Sequence, residues 1–247
     1  MTSLAREPGA GRAAEIAAGL AAVQARIAAA CQAAGRGADE VTLIAITKTF
    51  PAADIRILSS LGVHDVGENR DQEAAVKAAE VADLRDQLTW HFVGQLQTNK
   101  AASVARYADV VHSVDRLRLV TALGAGARKA GRRLRCLVQV SLDDDPARGG
   151  AAPDQVLAIA DAVASEPGLS LGGVMAVAPL ADELRPGGPL AAFQRLAGMA
   201  AAIRAVHPDA TVISAGMSAD LEDAIAAGAT HVRVGTALLG GRPGFVR

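Results

Sequence analysis

Eight short apolar runs punctuate the chain, and the segments between them are longer and rich in alanine. The runs are Val41–Thr47, Val63–Gly67, Trp90–Gly94, Val110–Val114, Cys136–Ser141, Leu169–Val177, Val212–Ser214 and His231–Gly235. Most of them are continuously apolar rather than alternating, which is typical of parallel strands that are covered on both faces. Regular alternation of such strands with helical segments predicts a parallel α/β fold.

The segments between the runs carry helical periodicity. In the first segment, apolar residues recur at spacings of three and four and therefore share one helix face, namely Ile16, Leu20, Val23, Ile27 and Cys31. Gly35 and Gly37 are expected to end this helix. Near the other end of the chain, Ser218 is expected to cap the helix that carries Leu221 and Ile225.

The length of 247 residues suits a closed (β/α)8 TIM barrel with an extra N-terminal helix. A doubly wound open sheet is the alternative, but eight strand–helix units without a second domain favour closure. No linker and no shift in composition divides the chain. We therefore predict a single domain over residues 1–247, with residues 1–11 flexible.

Charge and cysteine content exclude several functional classes. The chain has 25 Lys+Arg against 26 Asp+Glu and a formal net charge of −1, so it has no electrostatic footprint for nucleic acid or an anionic membrane. Cys31 and Cys136 lack C-x-x-C spacing and are predicted to be buried thiols in a reducing compartment. The charged N-terminus lacks the apolar stretch of a secretory signal. We expect a soluble, cytoplasmic monomer.

Lys48 is the most specific candidate for a chemically reactive residue. In α/β barrels the functional residues follow the carboxyl ends of the strands, and Lys48 follows the first strand, in alternation with Ile44 and Ile46. An apolar setting lowers the proton affinity of a lysine, and a neutral amine condenses with carbonyl groups. A lysine that extends from the barrel mouth into solvent is an equally good interpretation of this residue alone.

Arg233 lies within the last strand, which neighbours the first strand in a closed barrel. A guanidinium group keeps its charge, so burying it requires a fixed acceptor. That acceptor is either a carboxylate such as Glu68, in a structural pair, or an atom of a ligand in the lumen. Both interpretations stay open at this point.

The loops after the seventh and eighth strands are candidates for an anion site. They contain Ser214–Ser218 and Gly235-Thr236, and Ala237–Leu239 is predicted to start a short helix. Small residues bring backbone N–H groups close to a phosphate, and Ser and Thr add hydroxyl donors. Asp220, Glu222 and Asp223 follow closely and would repel phosphate unless they face outward. As ordinary turns, these glycines would need no ligand.

A reactive lysine, an arginine and a phosphate loop together suit an aldehyde that carries a phosphate and a ring acceptor. Pyridoxal 5′-phosphate (PLP) has these three groups. Metal is not expected, because no His-x-His or H-E-x-x-H spacing occurs. His91 and His112 are predicted to be hydrogen-bonded within the barrel, and a role as a base is the alternative.

Several longer motifs resemble one known family. They are Ile46-Thr47-Lys48-Thr49 with Pro51, Gly67-Glu68-Asn69 with Gln72-Glu73, the stretch from Trp90 to Lys100, His112-Ser113-Val114-Asp115, Gly216-Met217-Ser218-Ala219-Asp220 and Val232-Arg233-Val234-Gly235-Thr236-Ala237. In this order they are similar to the PLP homeostasis proteins, an alanine-racemase-like family of single barrels. The resemblance runs from the first helix to the final glycine-rich tail, and the W-H-F-x-G-x-L-Q-x-N-K stretch is its most specific part.

This resemblance implies that Lys48 carries PLP as a Schiff base, that Arg233 faces the pyridine nitrogen and that Asn69 lies near the ring. It further implies a set of phosphate-binding residues, namely Ser214, Gly216, Met217, Ser218, Gly235 and Thr236. Two departures from the family pattern are visible. Arg70 replaces an aromatic residue, and Ala215 replaces a bulkier one.

The resemblance also implies a carrier or regulator in vitamin B6 and amino-acid homeostasis, without catalytic turnover. An arginine only donates hydrogen bonds, so it keeps the ring nitrogen unprotonated and weakens its pull on electrons. Racemases of related fold take a second acid/base group from a second domain, whereas this sequence ends 11 residues after Thr236. The single tyrosine, Tyr107, precedes the fourth strand and is expected near the opposite end of the barrel.

Two enzymatic alternatives remain on the same barrel, a PLP-dependent amino-acid racemase and a Schiff-base aldolase. A third interpretation is a protein that delivers PLP to PLP-dependent apo-enzymes. An aldolase would attach its lysine to the substrate and would be colourless when purified.

Overall fold

The computed structural model describes residues 10–142, 149–179 and 188–241. Its eight strands are all parallel and form one closed barrel in which each strand pairs with the next along the chain. They are β1 (Thr42–Ile46), β2 (Asp65–Glu68), β3 (Thr89–Phe92), β4 (Val110–Val114), β5 (Leu134–Gln139), β6 (Leu169–Met175), β7 (Val212–Ser214) and β8 (His231–Val234). Because β1 pairs with both β2 and β8, the predicted (β/α)8 barrel is confirmed and the open sheet is excluded.

Helices connect the strands and cover the outside of the barrel. They are α1 (Ala10–Ala33), α2 (Ala52–Ser60), α3 (Asp71–Glu80), α4 (Ala101–Tyr107), α5 (Leu117–Lys129), α6 (Val156–Ser165), α7 (Gly188–Val206), α8 (Leu221–Ala226) and α9 (Thr236–Leu239). Short 3-10 turns lie at Ala38–Glu40, Ala82–Leu84, Thr98–Lys100 and Pro153–Gln155. The short helix predicted after the eighth strand is therefore present as α9.

The main hydrophobic core lies between the barrel and its helices. Trp90 and Phe92 of β3 and Leu119 and Leu123 of α5 are all buried there. Because side chains alternate along a strand, the strand residues between these core residues face the barrel lumen. Ile44 and Ile46 do so, since a side chain at Gly67 on the neighbouring strand would lie 2.5 Å from Ile46 Cδ1 and 3.1 Å from Ile44 Cγ2.

Helix α1 is the additional element before the barrel. Its predicted apolar face is buried against the barrel and against α8 and α9, through Ile16, Leu20, Val23, Ile27 and Cys31. A side chain at Gly19 would overlap the carbonyl oxygen of Leu238, so glycine there allows α9 to approach. By length and composition alone Gly11–Ala33 could cross a membrane, but that test also selects core helices of soluble proteins.

The two ends of α1 bear on the sequence predictions. It begins at Ala10, so residues 10 and 11 are helical, while the flexibility predicted for residues 1–9 lies outside the described residues. Gly35, with φ +68°, follows its C-terminal end as predicted, and the Arg36 N–H closes the turn on the Cys31 carbonyl. Cys31 and Cys136 are buried free thiols, as expected.

Candidate functional site

Lys48 lies in a turn at the carboxyl end of β1. The strand ends at Ile46, one residue earlier than predicted, and Thr47 still donates its N–H to the Gly67 carbonyl on β2. The Lys48 side chain is half-buried. The next residue, Thr49, has a φ of +71°, a left-handed conformation that is costly for a β-branched residue. The backbone that carries Lys48 is thus held in a specific, strained turn.

Lys77, a residue that the sequence analysis missed, explains how this turn is held. Its buried ammonium group donates to the Thr47 carbonyl at 2.8 Å, to Glu68 Oε1 at 2.7 Å and to Glu73 Oε1 at 2.6 Å. Glu73 Oε1 also accepts the Thr49 N–H at 2.5 Å. Burial raises the pKa of Glu73, but its hydrogen bonds from Lys77 and Thr49 outweigh burial and lower the pKa below its ordinary value. This cluster fixes both residues that flank Lys48.

Glu68 completes the cluster on the outer side of the barrel. It is fully buried, and its Oε1 accepts the Thr47 hydroxyl at 2.7 Å. Burial raises the pKa of Glu68, and the neighbouring Lys77 charge opposes that rise. The proposed structural pair between Glu68 and Arg233 is therefore wrong: Glu68 faces α3, on the side of the sheet opposite to the lumen. Lys77 follows Glu73 by four residues on a helix, and this spacing is the sequence signal that could have predicted the Lys77–Glu73 ion pair.

Arg233 faces the lumen from β8, beside Ile44 of β1. It is 4% exposed and donates to Ser214 Oγ at 2.7 Å and to the Ala176 carbonyl at 2.8 Å. Both acceptors are neutral. Burial lowers the pKa of Arg233 to about 10, although the Asp220 carboxylate favours the charged form. A cation in this position has donors left for a further acceptor, because a guanidinium carries five N–H groups.

The loop after β7 lies against the end of β8. The backbone N–H of Arg233 donates to the Gly216 carbonyl at 2.9 Å. Gly216 has a φ of +87°, and a Cβ there would lie 2.6 Å from the Ala224 Cβ. Glycine is therefore required by both conformation and space. The exposed Met217 donates its N–H to Asp220 Oδ1 at 2.6 Å.

The predicted cap at Ser218 is wrong. Asp220 occupies the N-cap position of α8, and the Ser218 hydroxyl instead lies 3.4 Å from the Ala237 N–H in the first turn of α9. This contact brings the Ser214–Ser218 loop next to Gly235-Thr236. Glu222 faces outward, as phosphate binding would require, and pairs with Arg26 at 2.7 Å. Asp220 does not meet this requirement, because its Oδ1 accepts the Met217 N–H within the loop. The two predicted phosphate loops are therefore adjacent, as the barrel topology implied.

Asn69 follows β2 and is half-buried. A side chain at Gly94, after β3, would overlap the Asn69 backbone, so these two loops are in close contact. Arg70, one of the departures from the family pattern, is exposed at the N-cap of α3. Ala215, the other departure, is a buried residue of the loop after β7.

His91 and His112 lie inside the barrel and are hydrogen-bonded there, as predicted. His91 Nδ1 is 2.8 Å from His112 Nε2. Tyr107 ends α4, at the amino end of β4, and packs on the helix side of the sheet against Trp90, with ring centroids 6.3 Å apart. Burial, together with the Asp71 and Glu68 carboxylates, raises the pKa of Tyr107. Because it packs against Trp90 in the core between barrel and helices, the Tyr107 ring lies outside the lumen.

The chain matches the family model for the N-terminal domain of alanine racemase over residues 19–243. The pyridoxal phosphate homeostasis protein of Mycobacterium tuberculosis (strain ATCC 25618 / H37Rv) is 46% identical over 248 residues, which cover 94% of each chain. A protein from Bifidobacterium adolescentis, described as unknown, superposes with a TM-score of 0.88 at 32% identity and covers 96% of this chain and 100% of its own.

PipY of Synechococcus elongatus PCC7942 has been solved with PLP bound. It superposes with a TM-score of 0.74 at 38% identity, over 81% of this chain and 93% of PipY.

Proposed function

Because the chain belongs to the family of pyridoxal phosphate homeostasis proteins, we propose that it binds PLP at the carboxyl end of the barrel and holds it as a Schiff base on Lys48. Its role is then in PLP and amino-acid homeostasis, without catalytic turnover. The observation that carries this proposal is Arg233, a buried cation whose observed acceptors are both neutral. The PLP that is bound to PipY supports the same ligand here.

Arg233 fits the pyridine ring of PLP. A buried cation is costly unless it meets acceptors, and the Ser214 and Ala176 oxygens use two of its five donors. An unprotonated ring nitrogen is an acceptor, so it suits a guanidinium that only donates. This pairing would orient the ring within the lumen, with Asn69 at its side.

The adjacent loops fit the phosphate group. Gly216 and Gly235 allow close approach of the backbone, while Ser218 and Thr236 add hydroxyl groups. The Met217 N–H is held by Asp220 Oδ1, so a phosphate would take the place of that carboxylate. The Ser214 hydroxyl already contacts Arg233, and its role as a phosphate ligand stays a prediction.

Lys48 fits the aldehyde. Thr47 directs its hydroxyl toward Glu68 on the helix side, and the proposal places the next side chain, Lys48, toward the lumen. When bound, PLP supplies an aldehyde that condenses with an amine and a ring that withdraws electrons. The Lys77 cluster holds the turn, so that the Lys48 amine is presented in one direction.

The groups that surround the lumen support a carrier role. Arg233 keeps a ring nitrogen unprotonated, which weakens electron withdrawal by the ring. Tyr107 is directed to the helix side, and His91 and His112 are engaged with each other. Purified protein supplied with PLP and L-alanine should therefore leave the enantiomer unchanged. Appreciable racemisation would favour the racemase alternative.

The decisive experiment is the visible spectrum of the protein with PLP, followed by borohydride reduction and mass mapping. The sequence contains four lysines, Lys48, Lys77, Lys100 and Lys129, so the adduct can be assigned without ambiguity. We expect a yellow chromophore and a single modified peptide at Lys48. Lys48→Arg should lose both, while Lys129→Arg, at the exposed end of α5, should keep both. A colourless wild-type protein would overturn the proposal and would favour the aldolase alternative.

The cellular setting belongs to the same proposal. Two buried free thiols suit a cytoplasmic protein. Delivery of PLP to apo-enzymes and a monomeric state remain predictions. Transfer would be tested by activation of a PLP-dependent apo-enzyme with the loaded protein, in comparison with the same amount of free PLP.

A further inference from the structure

A continuous chain of hydrogen bonds runs through the barrel from Arg233 to Asp65. Arg233 donates to Ser214 Oγ at 2.7 Å, and Ser214 Oγ lies 3.0 Å from His112 Nδ1. His112 Nε2 lies 2.8 Å from His91 Nδ1, and His91 Nε2 lies 2.9 Å from Asp65 Oδ1. Asp65 begins β2, so the chain connects the ligand end of the lumen with the amino-terminal face of the barrel.

The two ends of this chain fix its direction. An ionised Asp65 only accepts, so His91 carries its proton on Nε2. A neutral His91 then accepts at Nδ1, which requires the proton of His112 to lie on Nε2. His112 Nδ1 therefore accepts the Ser214 hydroxyl, and Ser214 Oγ accepts from Arg233. In this single arrangement every donor points toward Asp65 and every contact is a hydrogen bond.

The burial of His112 favours the same arrangement. His112 is fully buried, and burial lowers its pKa well below the ordinary value, with a smaller contribution from the Arg233 charge. It is therefore a neutral ring with one proton. If His91 were an imidazolium, its Nδ1 would donate, the His112 proton would move to Nδ1, and the Ser214 hydroxyl would face two donors. That reversed arrangement leaves the Ser214 proton without either of its observed partners.

We propose that His112, with His91 behind it, positions Arg233 for its ligand by holding the Ser214 hydroxyl as an acceptor toward the guanidinium. Neither histidine touches the ligand in this scheme, and both act through Ser214. We call the hydrogen-bonded chain from Arg233 through Ser214, His112 and His91 to Asp65 the relay. It deepens the proposed function and rests on it, because the acceptor presented to Arg233 is the ring of PLP. Its consequence is that Arg233 keeps one orientation before the ligand arrives.

The first test needs no ligand. In nitrogen-15 NMR of the histidine side chains of the unloaded wild-type protein, the five histidines are resolved by comparison with single variants. At neutral pH we expect His91 and His112 as neutral rings with the proton on Nε2. A proton on Nδ1 of His112, or an imidazolium at that position, would overturn the relay.

The second test separates positioning from a merely structural role. His112→Leu removes the acceptor for Ser214, whereas His112→Gln keeps an amide oxygen as an acceptor and an amide N–H as a donor. We expect His112→Leu to weaken PLP binding by ~10-fold and to shift the visible absorption maximum, as loss of one positioned hydrogen bond implies. His112→Gln should restore most of the PLP affinity and most of the wild-type absorption maximum.

The matched control is His207→Leu. His207 also bonds to an aspartate through Nε2, at 2.7 Å from Asp161 Oδ1, but on the outside of the protein. The His207→Leu variant should leave the affinity for PLP and the visible absorption spectrum unchanged. Unchanged PLP binding in His112→Leu, or failure of His112→Gln to improve on it, would overturn the positioning role. Absence of any chromophore in wild-type protein would instead defeat the proposed function, and the NMR result would still decide the relay.

Discussion

The ammonium group of Lys77 lies 2.7 Å from Glu68 Oε1, with side chains that are only 7% and 0% exposed. This buried pair supports the turn that carries Lys48, because the same ammonium group also bonds to the Thr47 carbonyl. Removal of one partner would leave the other charge buried without compensation.

We therefore expect Lys77→Met to lower the free energy of unfolding by about 3–5 kcal/mol, as measured by urea denaturation. The double variant Lys77→Met with Glu68→Gln should recover a large part of this loss, since it removes both charges. Arg56→Met is the control, because Arg56 forms an exposed pair with Asp83, and it should lose far less stability. Equal losses in Lys77→Met and Arg56→Met would contradict the role of burial.

Gly216 and Gly228 offer a matched pair for the loop after β7. Both have positive φ, +87° and +98°, but only at Gly216 would a Cβ meet other atoms, at 2.6 Å from Ala224 and 3.0 Å from Leu221. Gly228→Ala should cost about 1 kcal/mol of unfolding free energy through conformation alone.

Gly216→Ala adds overpacking against α8 and should cost about 3 kcal/mol in total. It should also weaken PLP binding, because the displaced loop includes Met217 and Ser218, whereas Gly228→Ala should not. Thermal unfolding and PLP titration of the two variants side by side provide the measurement. Similar effects of both substitutions on PLP binding would show that the loop position is unimportant.

The barrel was predictable because its signal is local. Each apolar run is long enough to mark a strand, and parallel pairing makes the run continuous rather than alternating. The rule that strand carboxyl ends carry function then selected Lys48 without any knowledge of register. Arg233 was selected on a different ground, as a charged residue within an apolar strand. Val110–Val114 and Val212–Ser214 match the observed strands at both ends. The other six runs differ by one or two residues at one or both ends, since backbone pairing rather than hydropathy decides where a strand stops.

The interactions that hold the site were less accessible to sequence reasoning. Lys77 is an ordinary helical lysine in the sequence, and the pairing of β1 with β2 together with the packing of α3 places it against Glu68 and the Thr47 carbonyl. His91 and His112 were expected to be hydrogen-bonded, but their partners depend on the register of four strands. Ser218 satisfied the preference for an N-cap residue, yet Asp220 took that position and left the hydroxyl for α9.

His231 should make stability depend on pH. Burial, together with the charge of Arg135, lowers its pKa from 6.5 to about 4 despite the opposing effect of Asp65. Below pH 6.5, His231 therefore binds a proton in the unfolded chain but not in the folded chain. As a result, the free energy of unfolding falls as the pH falls from 6.5 to 4. The full contribution is on the order of 3 kcal/mol.

The measurement is urea denaturation at a series of pH values for wild type and His231→Gln. The variant should show a shallower decline between the two pKa values, while acidic groups common to both proteins cancel in the difference. His64→Gln changes an exposed histidine and should follow the wild-type curve. Parallel curves for wild type and His231→Gln would contradict the lowered pKa.

Thr49 carries strain beside the proposed Schiff-base lysine, and releasing that strain should separate stability from function. Its φ of +71° costs a β-branched residue about 1–2 kcal/mol, whereas the added freedom of glycine in the unfolded chain costs only about 0.4–1 kcal/mol. Thr49→Gly should therefore raise the free energy of unfolding by about 1 kcal/mol. Thr98→Gly, at an exposed threonine that lacks positive φ, should lower it.

The same substitution should reduce the amount of borohydride-trapped PLP at Lys48. Glycine at position 49 keeps the N–H that bonds to Glu73 but lets the turn adopt other conformations, so the Lys48 amine is presented in the productive direction less often. Thr98→Gly should leave trapping unchanged. A Thr49→Gly protein that is less stable than wild type would mean that the left-handed turn is not strained. Equal trapping of PLP would mean that this turn is not needed for the presentation of Lys48.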